Sequence, residues 1–199
     1  MKLLAPSLIL AAVLCGCASG PSWKHQAFAF SIPADPPAAT ARTNLVSLSR
    51  VSISPLFQSR SFTYRTGDDR YEQDPYAGFI VAPDRALAES IRVWLRAGGA
   101  VGRVLEPGSG LTPTLMVEAS ITELYGDLRN PAQPMGALGI HFIIYHLENG
   151  RSEIALDTTS TRQTPMAGKT PAALMAAWDA DLREIMGEIN SACAKGNSQ

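Results

Sequence analysis

The side chain best placed for chemistry in this sequence is the thiol of Cys17. Leu14, Cys15 and the small Gly16 precede it. Residues 3–14, LLAPSLILAAVL, form an almost wholly apolar run behind Lys2. A run of about a dozen residues is too short for an ordinary transmembrane helix, which needs roughly 20. A basic start, a short apolar run and a small residue before the cut make the layout of an export signal.

The tetrapeptide Leu14-Cys15-Gly16-Cys17 resembles the lipobox of bacterial lipoproteins. The resemblance implies cleavage after Gly16, with the Cys17 thiol taking a diacylglycerol and its amine an acyl chain. The alternative is a plain secretory signal with incidental cysteines. Several acyl chains, at about 0.8 kcal/mol per buried methylene, would hold the chain firmly on a bilayer. Residue 18 is Ala, not the Asp that retains lipoproteins in the inner membrane of enteric bacteria. This points to the outer membrane, with the domain facing the periplasm.

Other reactive types are sparse. Cys15 leaves with the signal and Cys17 is taken by lipid, so Cys193 cannot form an internal disulfide. It reads as a small apolar helix residue. The sequence lacks GxSxG, Walker A, HExxH and CxxC patterns. The histidines are His25, His141 and His146. His141 and His146 lie five apart on an expected strand and so on opposite faces, where they cannot share a metal. No catalytic, metal or cofactor site is expected, only the acyl groups on Cys17. A net charge of −1 disfavours nucleic-acid binding.

The chain has 199 residues, 46% of them hydrophobic and 18% charged, which suits one globular domain. The expected organisation is a signal over 1–16, a lipidated end and tether over 17–26, one domain over 27–195 and a flexible tail over 196–199. Phe28, Phe30 and Ile32 alternate as in a strand, and a proline-rich loop follows to about Arg42. Residues 44–54 read as a strand with a bulge near Ser49-Arg50. Residues 61–66 and 70–73 read as a hairpin, its tip carrying Arg65, Asp68, Asp69 and Arg70. Residues 74–80 read as irregular.

A helix is expected over 83–97, opened by Pro83 and Asp84. Leu87, Ile91, Trp94 and Leu95 share one face of it. Strands are expected at 100–105, 113–125, 138–148 and 151–162. Gly108-Ser109-Gly110 opens no helix and reads as a loop rather than a phosphate cradle. In 113–125, Leu115, Val117, Ala119 and Ile121 share one face. Asn149-Gly150 is the strongest hairpin signal. A last helix over 170–194 carries Leu174, Trp178, Leu182, Ile185 and Ile189 as a stripe. Both tryptophans on helical stripes, Trp94 and Trp178, read as core. This order argues an α+β fold: a largely antiparallel or mixed sheet with two amphipathic helices packed on one face.

At this level the chain resembles the ABC-type transport auxiliary lipoproteins, which accompany MCE (mammalian-cell-entry type) lipid transporters. The lipobox is followed by Phe28-Ala29-Phe30-Ser31-Ile32-Pro33. Phe62-Thr63-Tyr64-Arg65 and the segment from Tyr71 to Tyr76 come next, then a helix opened by proline, and a strand pair before the last amphipathic helix. Many members carry a tryptophan before that proline; Phe79 takes its place here. The resemblance covers about 27–190. It implies a membrane-tethered, non-enzymatic partner of a permease, an ATPase and an MCE substrate-binding protein.

A two-residue turn at Asn149-Gly150 would set His146 opposite Glu153, Phe142 opposite Asp157 and Ile143 opposite Leu156. His141 would face Thr158. Ile143, Tyr145, Leu147, Ile154 and Leu156 would then line the core. Ile140, Phe142 and Ile144 would form an apolar patch on the sheet face that no helix covers, a docking surface for an identical subunit, an MCE protein or a lipid tail. A loop or the N-terminal segment covering that patch is the alternative. The competing function is an outer-membrane assembly or pilot lipoprotein for a secretin or lipopolysaccharide-export channel. A periplasmic hydrolase is a distant third.

Overall fold

A computed structural model of the chain describes residues 24–31, 44–98, 102–148 and 150–196. The signal, Cys17, most of the tether, the proline-rich loop, Asn149 and the last residues of the tail lie outside the described residues. Eight strands and two helices follow in order: β1 (Gln26–Phe28), β2 (Leu45–Ile53), β3 (Ser61–Arg65), β4 (Tyr71–Phe79), α1 (Pro83–Gly98), β5 (Arg103–Val104), β6 (Leu115–Asp127), β7 (Met135–Glu148), β8 (Arg151–Pro165) and α2 (Pro171–Gly196). The architecture is α+β, an open mixed sheet with two helices.

β6 is the spine of the sheet. Its inward residues Leu115, Val117, Ala119 and Ile121 are all buried, as their alternation requires. Along one side it pairs antiparallel with β7 over its whole length. Along the other it pairs parallel with β2 in its first half and with β3 in its second. β8 continues the sheet beyond β7; β5 lies beyond β2; β4 and then β1 lie beyond β3. The expected bulge in β2 is present, between Leu48 and Arg50.

Residues 74–79 are strand, not irregular. Asp74 makes this possible: its Oδ1 accepts from the N–H groups of Tyr76 and Ala77 at 2.8 and 2.9 Å. The backbone bends there without losing its partners.

α1 buries Leu87, Ile91 and Leu95 completely, one residue per turn, and Trp94 packs half-buried at their side. α2 buries Leu174, Trp178, Leu182, Ile185 and Ile189. Trp178 is the hub. It stacks on Phe79 at 5.5 Å and meets the edge of Phe62 at 5.0 Å. Its Nε1–H donates to Ala137 O at 3.1 Å, so the buried indole keeps its one polar partner. Gly136 lets α2 approach, since a Cβ there would stand 2.6 Å from the Ala177 Cβ.

β7 corrects the expected faces. Val117 pairs with Ile144, Ala119 with Phe142 and Ile121 with Ile140. Cross-strand partners share a face, so the unambiguous phase of β6 dictates that of β7. Ile140, Phe142 and Ile144 are buried under the helices and cannot form an exposed patch. Ile143 and Tyr145 point the other way. The expected register holds from Glu148–Arg151 to Tyr145–Ile154 and then slips by one residue. A bulge at Ala155 sets Leu156 opposite Ile144, facing in, while Ile154 faces out. Phe142 therefore faces Thr158, Ile143 faces Asp157 and His141 faces Thr159.

Candidate functional site: the uncovered face of the sheet

Both helices pack on one side of the sheet. On the opposite face the turn Pro55–Phe57 seats Phe57 against Tyr125, over the second half of β6. Among the described residues, the side chains that remain accessible on this face are those of β2, the first half of β6, β7 and β8. The register lays it out in rows across these strands. Ser47, Met116, Tyr145 and Ile154 make one row; Arg50, Glu118, Ile143 and Asp157 the next; Ser52, Ser120, His141 and Thr159 a third. The first two rows hold the apolar part. Ile154 is 64% exposed, and Met116, Ile143 and Tyr145 are half-buried. Tyr145 is tied down by its hydroxyl, which donates to Glu118 Oε1 at 3.1 Å. Burial and the adjacent Glu118 raise the phenol's pKa, so it stays a neutral donor.

The third row holds the polar part. Ser52 and Ser120 share a hydrogen bond of 2.9 Å. His141 Nε2 lies 2.7 Å from Asp157 Oδ1. The expected register, with Thr158 opposite His141, offers it no carboxylate; the slip at Ala155 supplies one by moving Asp157 to a diagonal position on its face. Hydroxyl, imidazole and carboxylate thus meet on neighbouring strands. Their bonds form two separate pairs, since Ser120 is engaged with Ser52, and Asp157 occupies the imidazole nitrogen that a relay would aim at a hydroxyl. Among the described residues no three His, Cys, Asp or Glu side chains are grouped to hold a metal. His146 faces Glu153 as expected, and both line an open cleft of about 410 Å³ with Glu148 and Arg151.

A second polar site lies at the other end of β6. Arg65 donates to Asp68 O at 2.6 Å at the hairpin tip, where the charged quartet was expected. Asp127 and Arg129 join it unannounced. Arg129 Nη2 donates to Asp127 Oδ2 at 2.7 Å, and its Nη1 reaches Asp68 Oδ1 at 3.3 Å. The Arg129 hydrogen bonds hold the Asp127 carboxyl below the usual range against the opposing effect of burial. These groups line an open cleft of about 430 Å³ with Asn130, Gln133 and Met135.

No protein-family model matches the sequence, and no curated protein matches it. Solved structures do share the fold. Protein XCC0632 from Xanthomonas campestris, of the family model DUF330, superposes with a TM-score of 0.69 at 16% identity, over 87% of this chain and 98% of its own. An uncharacterised protein gives 0.68 at 9% identity, over 84% and 97%. Protein CT253 from Chlamydia trachomatis gives 0.52 at 11% identity, over 77% and 99%. At these identities the likeness establishes the fold alone. Among the described residues no helix is long and apolar enough to cross a membrane.

Proposed function

We propose that this protein is a lipid-anchored lipoprotein of the bacterial envelope and serves, without catalysis of its own, as the auxiliary component of an ABC transporter of the MCE lipid-transport type. The observation that carries the reading is the short join between an acylatable Cys17 and a fold with one uncovered sheet face. β1 begins nine residues after Cys17, at Gln26. At about 3.5 Å per residue the domain stays within roughly 30 Å of its membrane, on this reading the outer membrane.

A domain held so close works by docking rather than by carrying cargo across the periplasm. The uncovered face supplies a rigid surface for this, with Ile143, Tyr145 and Ile154 at its centre and hydrogen-bonded polar residues around them. That is the usual anatomy of an interface. Its partner is the MCE-domain protein, through which it joins the permease and ATPase complex, with a second copy of the chain as a further candidate. The aromatic hub around Phe62, Phe79 and Trp178 supports the family resemblance, because it is built from the segments that carry it.

Affinity purification from solubilised envelopes, read by protein mass spectrometry, tests this. Recovery of an MCE-domain protein with a permease and ATPase is expected. Recovery of a secretin or a lipopolysaccharide-export channel instead would replace the reading with an assembly role.

A further inference from the structure

The hairpin tip between β3 and β4 and the loop after β6 meet at one end of the sheet. Asp127 is level with Arg65, and Arg65 with Tyr71. The cleft of about 430 Å³ between tip and loop holds a guanidinium with unused donors. Asp127, only 8% exposed, grips Arg129 from the side. It accepts from Nε at 3.1 Å, from Nη2 at 2.7 Å and from the Arg129 main-chain N–H at 3.0 Å. Arg129 Nη1 reaches Asp68 Oδ1 at 3.3 Å. Each guanidinium nitrogen spends one N–H on these bonds. One N–H on Nη1 and one on Nη2 are left without an acceptor among the described residues. Gln133 Nε2 is also left without one, since only Gln133 Oε1 is engaged, by Asn130 at 3.4 Å. The loop that presents these donors is braced. Asn130 Oδ1 accepts from the Ala132 N–H at 3.1 Å, and Asn130 O from the Gln133 N–H at 3.0 Å.

Across the cleft, Asp68 Oδ2 meets no donor among the described residues, on a side chain 89% exposed. One wall thus offers donors for an oxyanion and the other an acceptor for an ammonium. Over residues 65–70 and 127–129 the charges balance, Arg65, Arg70 and Arg129 against Asp68, Asp69 and Asp127. A simple anion is attracted by Arg129 and repelled by Asp68, and a simple cation the reverse; a zwitterion satisfies both. The volume falls in the range of small-ligand sites, about 300–1,000 Å³.

We propose that this cleft binds a zwitterionic phosphoethanolamine headgroup, its phosphoryl oxygens on Arg129 and Gln133 and its ammonium on Asp68. A guanidinium fixed side-on by a buried carboxylate is pre-organised for phosphoryl oxygens. A soluble zwitterion has the same chemistry, and the fold favours the lipid. β1 runs parallel to β4 with Gln26 beside Ala77, so Lys24, where the segment from Cys17 joins, lies on the Pro75 side. From Pro75, β4 leads back to Tyr71 and the hairpin tip. The cleft therefore lies at the end of the sheet towards which the anchored segment leaves β1. The choice of a lipid rests on the proposed acylation of Cys17; the preference for a zwitterion does not.

Isothermal titration of the detergent-solubilised full-length protein with glycerophosphoethanolamine tests the site, with glycerophosphate and ethanolamine as half-ligands. Saturable binding of glycerophosphoethanolamine is expected. Each half-ligand should bind about tenfold more weakly or worse, because it forgoes a charge-assisted contact. Arg129→Lys keeps the charge and loses the fork, and should weaken binding by about tenfold. Gln133→Ala, an exposed loop substitution, should weaken it without moving the urea midpoint. Asp68→Asn should remove the preference for glycerophosphoethanolamine over glycerophosphate. Absent binding, or undiminished binding by Arg129→Lys and Gln133→Ala, overturns the site. Equal binding of glycerophosphoethanolamine and glycerophosphate by the parent overturns the zwitterion. Native mass spectrometry from micelles doped with phosphatidylethanolamine or phosphatidylglycerol tests the source. A phosphatidylethanolamine adduct that Arg129→Lys loses is expected; titratable binding without that adduct overturns the lipid in favour of a soluble zwitterion. The mass of the Cys17 peptide from the same sample reads acylation. Unacylated protein that still binds glycerophosphoethanolamine overturns the anchor and supports the cleft.

Discussion

Replacing Asp181 with Asn should stabilise the domain at neutral pH and leave it unchanged in acid. Asp181 lies on α2, fully buried, and accepts from the Thr164 hydroxyl at 2.6 Å. Its Oδ2 is buried without a hydrogen-bond partner. Burial first, and then the charge of Glu184, push its pKa up to about 6 from 3.8, against the opposing Thr164 hydrogen bond. Below about pH 3 the carboxyl is protonated in both folded and unfolded chains. As pH rises towards 6 the unfolded chain loses its proton first, so stability falls, and above pH 6 the full penalty applies. A displacement of about two pH units, at about 1.4 kcal/mol each, sets the penalty at about 3 kcal/mol. Urea unfolding of both proteins at several pH values between 4 and 7.5 measures it. Asp181→Asn should gain about 2 to 3 kcal/mol over the parent at pH 7.5 and less than about 1 kcal/mol at pH 4. A difference that does not change with pH would refute the reasoning, because then the charge of Asp181 would not be the cost.

Phe142→Asp should abolish folding by circular dichroism, since it places a charge in a fully buried site. Ile154→Asp on the uncovered face should change stability by less than about 0.5 kcal/mol while weakening partner recovery from membranes. Gly136→Val should cost about 2 to 3 kcal/mol in urea unfolding, because α2 must move away from a new side chain that meets Ala177. Cys17→Ser should move the protein from the membrane to the soluble fraction and abolish complementation; undiminished function of the soluble form would make the anchor incidental.

What the sequence made legible follows from where one physical constraint acted alone. The stripes of α1 and α2 and the alternation of β6 each have one apolar face and one polar face, so their orientation had a single solution. The β2 bulge could be read because Val46 and Leu48 fall in one phase, Val51 and Ile53 in the other. β7 offered two solutions. Leu138, Ile140, Phe142 and Ile144 are apolar in one phase; Ile143, Tyr145 and Leu147 in the other. The choice is made by pairing to β6, a contact distant in sequence. The bulge at Ala155 has no side-chain signature, yet it brings His141 and Asp157 together and turns Ile154 outward. Pro75 and Gly78 hid the end of β4, where Asp74 does the work of missing ladder bonds. Asp127 and Arg129 form their pair in a loop entry where no periodicity operates.

On the proposed reading, a membrane-tethered domain meets a lipid-transport complex through the sheet face opposite the helices. Photo-crosslinking in intact cells from a photoreactive residue at Ile154, with the crosslinked partner identified by mass spectrometry, tests that claim most directly. The expected crosslinked partner is an MCE-domain protein. Crosslinking from Ile154 to a secretin or a lipopolysaccharide-export channel, with no transporter component recovered, would contradict it.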